Sequence, residues 1–408
     1  MTVPALGAVV SEHLGLRWEV RLDPFDLGLS ALCGLALRDN PRRAHLVVST
    51  VLAKHVPVRP SVALERAGQL AALVARSLTD VPVVMGFCET ATGLGDAVAG
   101  ALDGAGYVHT TRRPDPSRPT AAGFSEEHSH ATEHHLQPGD LLDDHRTVVL
   151  IDDELTTGTT ALNTVAALST VAALQAVRPR ARWVLATLLD LRDDDARTAF
   201  HRRCAQLDVD VEVVALLDGT LHLPPDVLAR AVPLQRDLMA RPAPSPGPAR
   251  ARVVAHPNDW PAGVPTGGRY GLGPAAREAR DGAVRRGAER LELPPGRVLV
   301  VGVEELMAAP VLLARALEGR GLDVHVQSTT RSPVLPLDEP GYAVRRRLVF
   351  PSPDDAGRSS FLCNIAVPDD AEPWSAIVVV TEDDADACAP LLQALRPWAD
   401  EVHLVELA

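Results

Sequence analysis

The sequence predicts an α/β protein with two successive parallel sheets, each covered by helices. Three observations carry this. Between residues 81 and 219, short apolar runs rich in β-branched residues alternate with helical stretches, the pattern of a parallel sheet buried on both faces. A Pro- and Gly-rich stretch, RPAPSPGPARARVVAHPNDWPAGVPTGGRYG at 241–271, then interrupts the chain, and its start allows neither helix nor central strand. Beyond it, segment 302–333 repeats the order of features found in 86–114.

The N-terminal segment, to about residue 75, mixes a strand at 16–22 with helical stretches. Strand VPVVMG (81–86) leads into helix GLGDAVAGALDGAG (93–106), strand GYVHT (106–110) and a polar loop over 111–146. Strand TVVLID (147–152) leads into a helix over 159–177, strand RWVLATLLD (182–190), a helix over 192–206 and strand VDVEVVALLDG (209–219). A loop as long as 111–146 inside a compact domain is either functional or disordered. The echo between 86–114 and 302–333 has five features in one order: an apolar strand, an early Glu (Glu89; Glu304 or Glu305), an Ala/Leu-rich helix closed by G-x-G, a strand, and Thr-Thr-Arg-x-Pro. The second domain therefore repeats at least half of the first domain's fold.

A length of 408 residues suggests two domains, or three, and 46% hydrophobic residues suffice for a sizeable core. A net charge of −13 and only 3% aromatic residues argue against a nucleic-acid or anionic-membrane binder. The five cysteines form no C-x-x-C pair and read as reduced thiols of a cytoplasmic protein. The N-terminus lacks the basic region of a signal peptide, and no apolar run reaches membrane-spanning length. The chain has one lysine, Lys54, against 39 arginines, which singles that lysine out as a candidate ligand-binding residue beside the alternative of a chance surface position.

The stretch VVLIDDELTTGTT (148–160) carries the chemistry. In open α/β sheets ligands bind at the carboxyl ends of the strands, where Asp152 and Asp153 leave theirs. Thr156, Thr157, Gly158, Thr159 and Thr160 then turn into a helix whose first N–H groups and hydroxyls suit a phosphate. Gly158 permits close backbone approach. No G-x-x-x-x-G-K-[ST] is present, so this is not a Walker A loop. Carboxylates repel phosphate but accept hydrogen bonds from vicinal hydroxyls, so a ribose 5-phosphate satisfies both parts. The alternative reading is a capped helix after an acidic strand end.

This stretch resembles the phosphoribosyl pyrophosphate (PRPP) signature of type I phosphoribosyltransferases. With GFCETATGLG, HTTR at 109–112, the FSEEHSHATEHH loop, GGRYG at 267–271 and TTRSP at 329–333, the chain from about residue 35 resembles orotate phosphoribosyltransferase-like proteins of tellurium-resistance (Ter) operons. Those carry a C-terminal TRSP domain, matching Thr330-Arg331-Ser332-Pro333 here. The resemblance implies a type I phosphoribosyltransferase fold over 1–245 with its core at about 76–220 and a lid at 113–146, a linker over 246–271, and a degenerate phosphoribosyltransferase-like α/β domain over 272–408. It implies PRPP as substrate, Mg²⁺ carried by PRPP or water near Asp152 and Asp153, a base-like acceptor, and a homodimer. The product would be a nucleoside-like metabolite linked to stress or tellurium resistance.

By the same resemblance, Asp152 and Asp153 hold the ribose hydroxyls and 156–160 the 5-phosphate. Cys88, Glu89, Thr90 and Ala91 form a second loop for pyrophosphate, with Glu89 on metal-bound water or capping the helix, and Cys88 a small loop residue. Thr111 and Arg112 grip phosphate. The lid's Glu126, Glu127, His128, His130, His134 and His135 touch pyrophosphate or act as acid and base, with His128 and His130 the catalytic candidates; a transition-metal site and a solvated loop are the other readings. Arg331 and Asn364 are candidates for a pocket in the second domain, where AIVVVTEDDADACAPLLQAL (376–395) keeps strand, acids and helix but lacks the Thr/Gly loop. Two rivals stand beside the enzyme: a PRPP- or nucleotide-binding regulator without turnover, and a metal-binding stress protein using the His-rich loop.

Overall fold

The computed structural model describes residues 7–40, 44–125, 133–155, 171–175, 180, 182–241, 247–257, 259–365 and 373–407. The first sheet is built from β1 (Arg17–Leu22), β2 (Val83–Gly86), β3 (Gly106–His109), β4 (Val148–Leu155), β5 (Arg182–Asp190) and β6 (Asp210–His222). Their order is β1-β6-β5-β4-β2-β3, parallel except for β1, which closes the β6 edge antiparallel. The side chains of β2 and β4 alternate between two separate cores. Val84, Val149 and Ile151 enter one; Val83, Met85, Val148 and Leu150 enter the other. That two-sided burial explains why these strands read as unbroken apolar runs.

The second sheet contains β7 (Arg252–Ala255), β8 (Arg297–Gly302), β9 (Asp323–Ser328), β10 (Trp374–Thr381) and β11 (Ala399–Glu406), all parallel, in the order β7-β11-β10-β8-β9. The run β9-β8-β10-β11 has the arrangement of β3-β2-β4-β5. The fold is thus a phosphoribosyltransferase-type parallel sheet followed by a degenerate repeat of it, as the echo implied.

Four helices join the halves: α1 (Pro60–Val74), α2 (Thr92–Gly100), α3 (Pro274–Arg290) and α4 (Ala308–Gly319). Pro60 and Pro274 sit in the first helical turn, where a missing N–H costs nothing. The repeat-related helices α2 and α4 pack on each other. Buried Arg280 of α3 clamps Asp96 of α2 through two hydrogen bonds of 2.5 and 2.9 Å.

Several elements differ from the sequence expectation. Strand β4 continues past the two aspartates, because Glu154 and Leu155 keep pairing with Leu189 and Asp190 and Leu155 anchors in the core. Helix α2 ends at Gly100 rather than running to 106, and Gly104 turns the chain at φ 70°. Part of the Pro/Gly stretch, Arg252–Ala255, is an edge strand of the second sheet. Loop 111–146 contains a hairpin, Ala122–Ser125 with Glu133–Leu136, matched in the second half by Arg347–Pro351 with Ser359–Cys363. Each hairpin is bridged to its Thr-Thr-Arg segment, Thr111 to His135 and Thr330 to Phe361, which extends the repeat. Finally, the N-terminal strands Cys33–Arg38 and His45–Ser49 take a third strand, Val334–Leu335, from the second half.

Candidate active site

Gly86 ends β2 where any side chain would collide: a Cβ would lie 2.6 Å from the Ala91 carbonyl and 2.9 Å from the Tyr107 hydroxyl. The chain therefore makes its tight loop over 87–91 directly above the sheet. Within it, the Cys88 N–H donates to the Thr110 hydroxyl (2.9 Å) and the Ala91 N–H to the Phe87 carbonyl (2.9 Å). Of the four amides expected to face pyrophosphate, those of Glu89 and Thr90 thus remain uncommitted among the described residues. The Cys88–Glu89 peptide is cis. Burial, then the charge of Glu305, pushes the Cys88 thiol up to about 12, so it is no nucleophile at neutral pH.

Lys54 belongs to this loop. Its buried Nζ donates to the Thr90 hydroxyl at 2.8 Å and stands 3.7 Å from Glu89. The second half holds it there, since Ser328 N–H donates to the Ala53 carbonyl and the Gln327 amide to the Lys54 carbonyl.

Asp152 and Asp153 stand at the end of β4, one strand away. Asp152 is buried and accepts the Asp153 N–H at 2.9 Å. Burial, followed by the charge of Asp153, holds its carboxyl well above the usual carboxylate range. Such a group gains from a hydroxyl donor or a cation beside it. Thr156, Thr157, Gly158, Thr159 and Thr160 lie outside the described residues, as do Glu126, Glu127, His128 and His130. Of the lid residues that are described, His134 in the hairpin reaches the Cys88 loop, its Nδ1 3.1 Å from the Thr110 hydroxyl and 3.5 Å from Cys88 Sγ. His135 pairs with Thr111 through the backbone.

The two halves meet through a reciprocal exchange that sequence reading missed. Glu89 of the first half accepts from the Thr330 hydroxyl (3.1 Å) and the Arg331 N–H (3.2 Å), with the Arg331 guanidinium 3.1 Å away. Glu305 of the second half accepts from the Thr111 hydroxyl (2.7 Å) and the Arg112 N–H (2.8 Å). These are the same contacts with the halves interchanged, the pattern of an isologous interface. The Glu89 carboxylate, expected on metal-bound water or at a helix cap, is turned into this interface. The Thr111 hydroxyl, expected on phosphate, is likewise taken by Glu305. The equivalent positions Glu304 and Cys88 also match, since Glu304 N–H donates to Thr329 as Cys88 N–H does to Thr110.

The two arginines of the echo differ in their surroundings. Arg331 is neutralised by Glu304 (2.7 Å), Asp354 (2.9 Å) and Glu89. Arg358, Ser352 and Ser360 close on Glu304 from the second hairpin. Burial raises the Glu304 carboxyl, but Arg331, Ser360 and Arg358 outweigh it and hold it below its usual range. Arg112 has its N–H on Glu305, but its Nε is buried without a hydrogen-bond acceptor, and no carboxylate pairs with its guanidinium among the described residues. Arg112 is therefore the cation of the pair left available to an anion.

The second half's acids are also occupied. The strand register sets Thr381 opposite the place of Asp152 and Glu382 opposite that of Asp153, because Gly86 faces Ile151 and Gly302 faces Val380. Glu382 is paired with Arg269 (3.1 Å), and Asp383 with Arg113. Of the residues expected to form a pocket there, Arg331 is in the ion-pair network and Asn364 is a clip. The Asn364 side chain accepts from Arg345 N–H (2.8 Å) and donates to the carbonyls of Ala343 (2.8 Å) and His55 (3.0 Å).

Among the described residues, no group of three His, Cys, Asp or Glu side chains is placed to hold a metal ion, and no helix is long and apolar enough to cross a membrane. Solved structures similar to this chain include adenine phosphoribosyltransferase from Giardia lamblia in complex with 9-deazaadenine, at 14% identity, covering 46% of this chain and 94% of that one with a TM-score of 0.32. Another is the Rhodothermus marinus adenine phosphoribosyltransferase, at 17% identity, 51% and 99% coverage and a TM-score of 0.27. A Staphylococcus aureus hypoxanthine phosphoribosyltransferase has 15% identity, 40% and 78% coverage and a TM-score of 0.21. No curated protein matches the chain. Residues 32–220 match the model of a family described as phosphoribosyl transferase, and residues 266–395 that of the TRSP domain found C-terminal to it. The chain thus carries a phosphoribosyl transferase domain over 32–220, followed by a TRSP domain over 266–395.

Proposed function

We propose that the first half transfers ribose 5-phosphate from PRPP to a nitrogen of a base-like acceptor, releasing pyrophosphate. The observation that carries this is the asymmetry between repeat-related positions. Arg112 and the amides of Glu89 and Thr90 are uncommitted among the described residues, whereas Arg331 and Glu304 are paired with each other and their neighbours. In this reading Asp152 and Asp153 accept hydrogen bonds from the ribose 2- and 3-hydroxyls, and Thr156–Thr160 take the 5-phosphate. Arg112, Lys54 and the Glu89 and Thr90 amides hold pyrophosphate, and Glu89 acts on it indirectly by fixing the loop against the second half.

The acids fit Mg²⁺. They are hard oxygen donors, and a cation beside them would offset the burial that raises Asp152. When bound with PRPP it would neutralise the departing pyrophosphate. The acceptor nitrogen forms a bond to C1 as the bond from C1 to the pyrophosphate oxygen breaks, and that electron pair leaves with pyrophosphate. The protein's own part is positioning and electrostatic stabilisation. His134 touches the pyrophosphate loop, and in this reading the lid, with His128 and His130 as its acid–base candidates, excludes water.

The isologous contact pairs the two halves within one chain, and the homodimer expected from the resemblance stays part of this proposal. A nucleoside-like product linked to tellurium resistance rests on the Ter resemblance of the sequence. The test is pyrophosphate release from PRPP and Mg²⁺ across a panel of purine and pyrimidine bases. Acceptor-dependent release that falls at least tenfold in Arg112→Met supports the reading. PRPP binding without release for any acceptor supports a regulator instead.

A further inference from the structure

A cavity of about 650 Å³ lies over the carboxyl ends of the second sheet, within the size range of small-molecule sites. It is not the PRPP site. Its floor is Glu305–Ala308 and Glu382, the counterparts of the pyrophosphate loop and the second acid, and its wall is the 260–271 segment. That wall is fixed: Leu272 bridges to Tyr107, and a Cβ on Gly268 would lie 2.3 Å from the Tyr107 ring.

The chemistry of the lining defines what fits. Each of its charged side chains already has a partner. Arg269 pairs with Glu382 at 3.1 Å and lies 3.6 Å from Glu305, and Arg118 pairs with Asp115 at 3.3 Å. A charged ligand would have to break a pair, so a neutral one is favoured. The Arg269–Glu382 pair offers a donor and an acceptor side by side, and the buried Arg269 Nε–H donates no hydrogen bond. His109 adds a second acceptor. Its Nδ1 lies 2.9 Å from the Thr110 carbonyl, which only accepts, so Nδ1 carries the proton and Nε2 has the lone pair. Burial holds this imidazole below its usual range, hence neutral. Aromatic surface completes the lining: Tyr270, with Arg118 stacked 4.2 Å from its ring centre, and Trp260, whose N–H is satisfied by the Val264 carbonyl at 2.8 Å.

We infer that this cavity binds a neutral, planar nitrogen heterocycle with adjacent hydrogen-bond donors and acceptors, a nucleobase or its nucleoside, at a site separate from the PRPP site. Glu382 and His109 Nε2 accept from its N–H groups, Arg269 donates to its ring nitrogen or carbonyl, and the aromatic walls sandwich its faces. The missing Thr/Gly loop in this half removes any place for a 5-phosphate. Binding here also bears on the first half, because Glu305 both lines the cavity and holds Thr111 and Arg112.

The test is calorimetric titration, without PRPP, of adenine, hypoxanthine and uracil and their nucleosides into the full chain and three variants. Saturable binding of at least one probe is expected, weakened at least tenfold in Glu382→Gln and in Trp260→Leu. The same binding is expected within twofold in Asp152→Asn/Asp153→Asn. Circular dichroism checks that each variant is folded, and the near-isosteric Glu382→Gln guards against loss of fold in both. Two results overturn the inference: no probe binding at millimolar concentration, or binding that is lost in the aspartate variant and kept in the other two. Neither depends on whether PRPP binds, so failure of this inference and failure of the transferase reading are told apart.

Discussion

Removing the Glu305 charge is predicted to loosen both the fold and the PRPP site. Glu305 is buried and accepts from the Thr111 hydroxyl at 2.7 Å and the Arg112 N–H at 2.8 Å, with Arg269 at 3.6 Å. Hydrogen bonds to a charged acceptor contribute about 1.5–3 kcal/mol each. Glutamine retains one acceptor oxygen and presents an amide to the other donor, so one bond is lost and the second loses its charge assistance. Arg269 keeps Glu382. The cost of Glu305→Gln should therefore be about 3 kcal/mol, a large part of a typical stability. Glu305→Ala, which orphans both donors and opens a void, should cost about 5 kcal/mol. The same change frees the Thr111–Arg112 backbone, and PRPP affinity should fall about tenfold, equivalent to about 1.4 kcal/mol. Urea unfolding followed by circular dichroism, with calorimetric PRPP titration on the same samples, measures both. A Glu305→Gln protein within 1 kcal/mol of wild type and with unchanged PRPP affinity would refute the claim that the reciprocal contact positions Arg112.

Other predictions concern single groups. Asp152→Asn should stabilise the unliganded protein while abolishing PRPP binding, because the folded state holds this carboxyl above its unfolded value. That contribution is present below the unfolded pKa and is lost as pH rises through the folded one, so the gain in melting temperature should grow toward alkaline pH. Arg112→Met should leave stability within about 1 kcal/mol of wild type yet weaken PRPP at least tenfold, since its guanidinium pairs with no carboxylate among the described residues; equal losses of stability and binding would place it in the fold instead. Glu304, Glu305 and Asp354 are held below their usual range by the arginines and hydroxyls around them, against burial. Their contribution is present above their unfolded pKa values and is lost as pH falls through the folded ones. Chemical unfolding should therefore show the halves weakening against each other below about pH 4, and Glu304→Gln should flatten that acid limb.

Much of the architecture was legible because it is written in contiguous residues. The apolar runs of β2, β4, β5 and β8 announce strands buried on both faces, and the repeated Thr-Thr-Arg-x-Pro announces a second copy. The end of β4 was misread at Asp152 because acids suggest a strand terminus, whereas the ladder with β5 carries Glu154 and Leu155 further. Arg252–Ala255 was read as linker because its neighbouring prolines hide a four-residue edge strand that needs β11 to exist. At the site, Asp152, Arg112 and Lys54 stood out by motif or rarity. What could not be read was which of the repeated charges would be paired. Glu89 and Arg331 lie 242 positions apart and Glu305 and Arg112 193 apart, and only the packing of α2 on α4 brings them together. Arg269 carried no signal beyond the GGRYG motif.

The central claim is that Asp152, Asp153 and the loop after them hold a phosphorylated ribose. Calorimetric titration of PRPP with Mg²⁺ into wild type and into Asp152→Asn/Asp153→Asn tests it most directly. Saturable wild-type binding that is lost or greatly weakened in the folded variant is the predicted result. Wild-type protein that takes up no PRPP, or a double variant that binds it as tightly as wild type, would contradict the account.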